Sequence, residues 1–173
     1  MHEVFRNTIL TCPILHFLCA YGDTDNIEEF ISQKYLNYID SEDETPLIKA
    51  VEFKNYDIVK KLIEYGADPY IVTKCGYTAL STSCSNGDYE STSILLDADV
   101  DPNKNSLIVQ IPIICACNNG NIRVIELLLQ NKADPNIIDM DGNTALLVAI
   151  KNKRTDIIKL LIKYGATFTF FNI

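Results

Sequence analysis

Six cysteines and two histidines are the side chains of this 173-residue chain with the widest catalytic and metal-binding repertoire, so their spacing is decisive. The only close pair is Cys115-x-Cys117; there is no C-x-x-C, and the spacing matches no common structural zinc pattern. His16 sits between Leu15 and Phe17, which reads as a packed or capping side chain rather than a general base, and His2 is the other histidine. The acidic run Asp40-Ser41-Glu42-Asp43-Glu44 lacks the spaced ligands and the glycine of a calcium loop. It is expected to be a solvated loop tip that secondarily steers a basic partner. With no nucleophile elbow, P-loop or dinucleotide fingerprint either, the residues offer no catalytic site, no metal and no cofactor, and the chain reads as a non-enzyme.

Composition narrows the remaining classes. Asp and Glu number 23 against 15 Lys and Arg, a net charge of -8, and the pI is near 4.7. A phosphate-backbone binder needs clustered cations to release counterions, so nucleic acid is not an expected partner. No stretch approaches the roughly 20 apolar residues of a membrane span, and Glu3 and Arg6 interrupt any leader-like run. The expectation is a soluble, unsecreted protein of one domain, spanning 1–173, with its 47% hydrophobic residues supplying a core.

The elements that position these residues emerge when the chain is compared with itself. Thr45-Pro46-Leu47-Ile48-Lys49-Ala50-Val51 returns as Thr78-Ala79-Leu80-Ser81-Thr82-Ser83-Cys84, as Ile111-Pro112-Ile113-Ile114-Cys115-Ala116-Cys117 and as Thr144-Ala145-Leu146-Leu147-Val148-Ala149-Ile150, at intervals of 33. Leu62-Ile63-Glu64-Tyr65-Gly66-Ala67-Asp68-Pro69 returns as Leu95-Leu96-Asp97-Ala98-Asp99-Val100-Asp101-Pro102, as Leu128-Leu129-Gln130-Asn131-Lys132-Ala133-Asp134-Pro135 and as Leu161-Ile162-Lys163-Tyr164-Gly165-Ala166. Thr45-Pro46 predicts a helix start, because the hydroxyl accepts from a free first-turn amide where proline lacks one. Leu47, Ala50 and Val51 share one face of that helix; Ile58, Val59, Leu62 and Ile63 share one face of the next. Gly66 and Gly165 fit positive-φ helix ends. Two short amphipathic helices cannot bury their faces alone, so the units must stack.

A 33-residue unit with Thr-Pro-Leu near its start and Leu-Leu-x-x-Gly-Ala-Asp-Pro-Asn near its end resembles an ankyrin repeat, over about residues 12 to 168. The resemblance implies an all-α α-solenoid of helix-turn-helix units with protruding β-hairpin loops, in five repeats of approximately 10–39, 40–72, 73–105, 106–138 and 139–170. The first copy, Pro13-Ile14-Leu15-His16-Phe17-Leu18-Cys19-Ala20-Tyr21-Gly22-Asp23 with Ile27 and Phe30-Ile31, slips by one residue and reads as an atypical cap.

Departures from the pattern mark soft points. Asp99 and Lys132 replace the glycine after the second helix, at about 1 kcal/mol or more for a non-glycine residue with positive φ. Lys54 and Lys153 replace it between the helices, with Asn55 the expected alternative carrier in the first case. Ile111 removes a capping hydroxyl, and Leu107-Ile108-Val109-Gln110 is a β-prone apolar run. Cys19, Cys84 and Cys117 share the core slot of Val51 and Ile150 and should be small core hydrophobes; Cys75 lies in a hairpin and Cys12 at a helix start. Reduced thiols fit a cytoplasmic or nuclear setting.

The resemblance also implies where a partner protein binds: the hairpin tips and the exposed end of each first helix. Those slots hold Ser41, Glu42, Glu44, Glu52 and Phe53 in the second repeat, and Lys74, Cys75, Tyr77, Ser85 and Asn86 in the third. In the fourth they hold Leu107, Ile108, Gln110, Asn118 and Asn119, and in the fifth Met140, Asp141, Asn143, Lys151 and Asn152. Phe53, Tyr77, Ile108 and Met140 are the apolar anchors, with Phe53 covering its neighbouring repeat and Ile108 folding inward as the alternatives. Thr167-Phe168-Thr169-Phe170-Phe171-Asn172-Ile173 is expected to pack back on the last repeat, with a partner, a second copy or a missing downstream segment as the rivals, so a monomer is favoured over a dimer. The reading is a noncatalytic protein-binding module for a partner with a basic surface. Its Ile, Asn, Lys and Tyr bias resembles ankyrin proteins of large DNA viruses and intracellular bacteria that bind host signalling or ubiquitin-ligase components. The alternatives are an enzyme inhibitor that inserts the 107–110 hairpin and a structural spacer.

Overall fold

The computed structural model describes residues 11–31, 35–104 and 110–168. Ten helices within them run in five pairs: α1 (Thr11–Tyr21) with α2 (Ile27–Phe30), α3 (Pro46–Glu52) with α4 (Tyr56–Glu64), α5 (Ala79–Ser85) with α6 (Tyr89–Asp97), α7 (Pro112–Asn119) with α8 (Ile122–Gln130), and α9 (Ala145–Lys151) with α10 (Thr155–Lys163). The described residues contain no strand. The expected hairpins at 40–44, 73–77 and 139–143 instead close as tight turns with one short ring each, as where the Thr73 amide donates to the Tyr77 carbonyl at 2.9 Å. One such bond is too little ladder to make a strand.

Each helix begins and ends for a local reason. Thr45 accepts from the Ile48 amide and Thr144 from the Leu147 amide, both at 3.2 Å, while Ile111 caps nothing and α7 starts on Pro112 alone. Asn121 caps α8 with two bonds, from the Arg123 and Val124 amides. Every second helix from α4 on stops at a positive-φ residue, Gly66, Asp99, Lys132 or Gly165. The next amide then donates back five residues, as from Ala133 to the Leu128 carbonyl at 2.9 Å. After the first helices the corresponding residues are Gly22, Lys54, Gly87, Gly120 and Lys153. Lys54 itself takes the left-handed conformation at φ 59, and Asn55 does not, at φ -86. Asn55 instead occupies the N-cap slot of the second helix, which Asp88, Asn121 and Arg154 fill elsewhere at φ -85, -78 and -91. Gly22 precedes Lys54 by 32 residues rather than 33, which is the slip seen in the first copy.

The chain divides into two compact units, residues 1–79 and 80–173, described in turn. In the first, α1 packs on α3 and α3 on α4, enclosing Leu15, Cys19, Ile27, Leu36, Leu47, Ala50, Val51, Ile58, Val59 and Leu62 at 0–1% exposure. In the second, α7 packs on α8 and α9, and α8 on α6 and α10, burying Cys84, Leu95, Ile113, Cys117, Ile125, Leu128, Leu146 and Leu161. A fully buried Leu or Ile contributes about 1.5–3 kcal/mol relative to exposure, which offsets short helices that would not persist alone. The third repeat is polar inside: Ser81, Ser83, Ser91 and Thr92 are fully buried, and the Ser83 and Thr92 hydroxyls meet at 2.9 Å. Ser91 fills the slot that holds Ile58, Val124 and Ile157 in the other repeats, and its hydroxyl has no partner.

Asparagines clamp repeat to repeat. Asn55 Nδ2 donates to the carbonyls of Cys19 at 2.6 Å and Ala20 at 3.0 Å, and its Oδ1 lies 2.8 Å from where a β-carbon on Gly22 would stand. Asn119 reaches the Ser85 carbonyl at 3.0 Å across Gly87, and the Arg154 guanidinium covers Gly120 in the same way. At Gly22 and Gly87 a β-carbon would crowd the clamping asparagine in addition to having to hold a positive φ.

Candidate functional site

In the first unit the acidic tip is organised rather than merely solvated. Asp40 Oδ1 accepts from the amides of Glu42 at 2.9 Å and Glu44 at 3.0 Å, and this folds both glutamates onto Lys49, a buried residue of α3. Lys49 Nζ lies 2.6 Å from Glu42 Oε2 and also contacts Glu44 Oε2. Burial works against the ammonium charge, but the hydrogen bonds and charges of the two glutamates outweigh it and hold the Lys49 pKa above its ordinary value. Glu52 lies one turn further along α3; partial burial first, then the Glu44 charge, raise its carboxyl above the ordinary range, with Lys49 pulling the other way. The cluster thus holds three carboxylates around one ammonium.

Around this cluster Ser41 is exposed, and Phe53 is 54% exposed, so its ring does not disappear under the adjoining repeat. Lys74 pairs with Asp43, its Nζ 3.3 Å from Oδ1 and its backbone amide also donating to that carboxylate. Tyr77 is half-buried, its amide donating to Thr73 Oγ1. His16 is packed, as expected: it is 5% exposed, and its Nε2 donates to the Glu44 carbonyl at 3.0 Å.

In the second unit Asn118, Asn143, Lys151 and Asn152 come together with Asp139 and Val148 around a shallow cleft of about 190 Å³. Lys151 Nζ donates to Asn143 Oδ1 at 2.7 Å, and Asn143 Nδ2 turns to the Asp139 carboxylate at 3.1 Å. Asn86, Gln110, Met140 and Asp141 are exposed, Met140 at 85%. Asn119 is exposed, yet its amide is committed to the clamp on Ser85. Leu107 and Ile108 lie outside the described residues, as do His2, the Cys12 side chain and the tail from Thr169 onward.

Two features have no counterpart among the sequence-based candidates. Phe17 and Tyr21 stack at 4.1 Å between ring centroids and are 56% and 74% exposed. Their signal is faint because the first repeat is displaced by one residue; once aligned through Gly22, Tyr21 takes the slot of Phe53 and Phe17 that of Lys49. The other is Asn37, Asn103 and Asn136, which share one slot of the repeat and each accept from a backbone amide of the next repeat at 2.8 Å. Their recurrence in phase was the available clue.

The five described cysteines are free thiols, and only Cys75 is exposed. Burial pushes Cys19, Cys115 and Cys117 up to about 12 and Cys84 further, so none of these four is a thiolate at neutral pH. Cys115 and Cys117 are both buried, and among the described residues no group of three or more His, Cys, Asp or Glu could hold a metal ion.

Paired helices, tight turns in phase and exposed first-helix ends are what family models should recognise. A model of ankyrin repeats in three copies matches residues 84–172, just over half of the chain. The chain is an ankyrin-repeat protein. A second ankyrin model, of many copies, matches residues 33–82. Among curated relatives, this ankyrin-repeat protein is 38% identical over 76 residues to the human DNA-binding protein RFXANK, covering 42% of this chain and 29% of that one. It is 34% identical over 88 residues to Ankyrin repeat family A protein 2 of mouse and of human, covering 47% of this chain and 28% of theirs. The chain spans less than a third of the length of these relatives. Ankyrin repeats are generally noncatalytic protein-interaction modules, and no helix among the described residues is long and apolar enough to cross a membrane.

Proposed function

We propose that this ankyrin-repeat protein binds a partner protein through its turn tips and first-helix ends and acts by occupancy, scaffolding the partner or blocking its other contacts. The observation that carries the reading is a contrast between slots of one repeat. Val51, Cys84 and Cys117 are all fully buried, and only the last copy of that slot, Ile150, is exposed, at 38%; Phe53, Asn86, Asn119 and Asn152, two residues further on, are all exposed and differ in chemistry. Asn119 is held by its clamp on Ser85; the exposure and varied chemistry of Phe53, Asn86 and Asn152 support recognition. The net charge of -8 favours a partner with a basic surface. It also argues against carrying over to this chain the DNA binding in the name of one relative.

The free thiols support a cytoplasmic or nuclear setting. The finer reading, a viral or bacterial modulator of host signalling or ubiquitin ligases, is supported by the Ile, Asn, Lys and Tyr bias alone. Phe168 is 60% exposed at the end of the described residues; a monomer is proposed, and a doubled mass in light scattering would assign that end to a second copy.

Alanine substitution of Phe53 and Tyr77 in one variant, and of Asn118 and Lys151 in another, tests the reading by partner capture from the cells that express the protein. Loss of a specific protein in either variant supports it, and identical capture by both variants and the parent protein counts against it.

A further inference from the structure

The first unit carries an exposed aromatic face whose neighbours are carboxylates. Phe17 and Tyr21 lie one helical turn apart on α1 with their rings stacked. Tyr21 and Phe53 end α1 and α3 in equivalent slots, and those ends are drawn together by Asn55, which bonds the Cys19 and Ala20 carbonyls. α1 packs directly on α3, and in the repeat register Phe17 takes the slot of Lys49 and Tyr21 that of Phe53, so the stacked rings lie on the helix next to the one that carries Lys49 and Glu52. Three rings, each more than half exposed, would otherwise cost apolar hydration. Lys49 is a single cation against three carboxylates.

We propose that this face binds an arginine-bearing linear segment of a partner protein, with a guanidinium over the Phe17–Tyr21 pair and its N–H fork on Glu44 and Glu52. A planar guanidinium stacks on aromatic rings and donates in a fork that matches carboxylates, whereas an ammonium is a compact, strongly hydrated charge. Lys49 already pairs with Glu42 and Glu44, which leaves the third carboxylate, Glu52, without an ion pair of its own among the described residues, and an incoming cation supplies it. The inference rests on the protein-binding reading and adds the chemistry of the bound segment and its place in the first unit.

The test is fluorescence anisotropy with a labelled peptide of alternating arginine and glycine, beside lysine–glycine and glutamate–glycine peptides of equal length. The arginine peptide is expected to bind more tightly than the lysine peptide, and the glutamate peptide not at all. Phe17→Ala combined with Tyr21→Ala should weaken arginine-peptide binding about tenfold, Glu52→Gln several-fold, and Tyr21→Phe not at all, because the ring is kept. Glu90→Gln, an exposed carboxylate on α6, is the control for general charge. No binding of the arginine peptide, equal binding of arginine and lysine peptides, or indifference to ring removal in a variant with unchanged helicity would each overturn the inference. If the arginine peptide fails while partner capture still depends on Asn118 and Lys151, this inference falls and the protein-binding reading stands; if both fail, both fall.

Discussion

The backbone amide of Asp134 donates to Asn103 Oδ1 at 2.8 Å, and the same relationship returns one repeat later between Thr167 and Asn136. Each asparagine also gives its Nδ2 proton to a carbonyl of the next repeat, Lys132 at 2.9 Å and Gly165 at 3.0 Å. These side chains lie at the surface, so each clamp is worth about 1 kcal/mol. Asn103→Ala and Asn136→Ala should each lower the thermal midpoint by about 2–4 °C, read by circular dichroism, and the two losses should add. A loss in one and none in the other would show that the repeated geometry does not carry a repeated energy.

Left-handed lysines are a second reserve of stability. Lys132 holds φ 64 and Lys153 φ 57, conformations that glycine adopts without strain. Lys132→Gly should raise stability by about 1 kcal/mol, and Asp99→Gly by less, since aspartate tolerates this region better. Gly120→Ala should do the opposite, because an alanine there would have to hold φ 88. Urea titration of the three variants separates these signs.

The third repeat should gain from losing a hydroxyl. Ser91 is fully buried with an unpartnered Oγ, where an unmade bond costs about 1–3 kcal/mol. Ser91→Ala removes that cost without adding volume and is expected to stabilise the protein by about 1 kcal/mol, read as a higher urea midpoint at unchanged slope. A destabilised variant would mean that the hydroxyl is satisfied in solution.

Much of this architecture was legible in the sequence because it rests on local chemistry repeated in phase. The caps at Thr45 and Thr144 and the left-handed Asp99 and Lys132 follow from residue type and position alone. Lys54 rather than Asn55 takes the left-handed turn because that slot does so in every repeat, even where Lys153 fills it, and a lysine gives no local sign of it. Likewise Glu42 and Glu44 look like solvated tip residues until Lys49, seven and five positions away, is seen to lie beneath them. The Phe17–Tyr21 stack was hidden by the one-residue slip of the first repeat, and the polar interior of the third by serine and threonine being ordinary helix-surface residues.

Glu52 makes stability depend on pH in a calculable direction. Its pKa in the folded protein is raised above the ordinary 4.5, so the folded state binds the proton more tightly than the unfolded state. Stability must therefore fall as pH rises from about 4.5 through the raised value. Glu52→Gln should be more stable than the parent protein at neutral pH and equal to it near pH 4, where the parent carboxyl is protonated; thermal midpoints across that range check the sign. A difference independent of pH would detach Glu52 from its Glu44 partner.

The claim that first-helix ends and turn tips are the binding surface is tested most directly by site-specific photo-crosslinking in the cells that express the protein. A photoreactive amino acid is placed at Asn86 and Met140, and for comparison at Glu90 and Lys159 on the second helices, all four of which are exposed. Discrete adducts with the same partner from Asn86 and Met140, with none from Glu90 and Lys159, are the predicted result. Adducts confined to Glu90 and Lys159, or equal from all four positions, would contradict it.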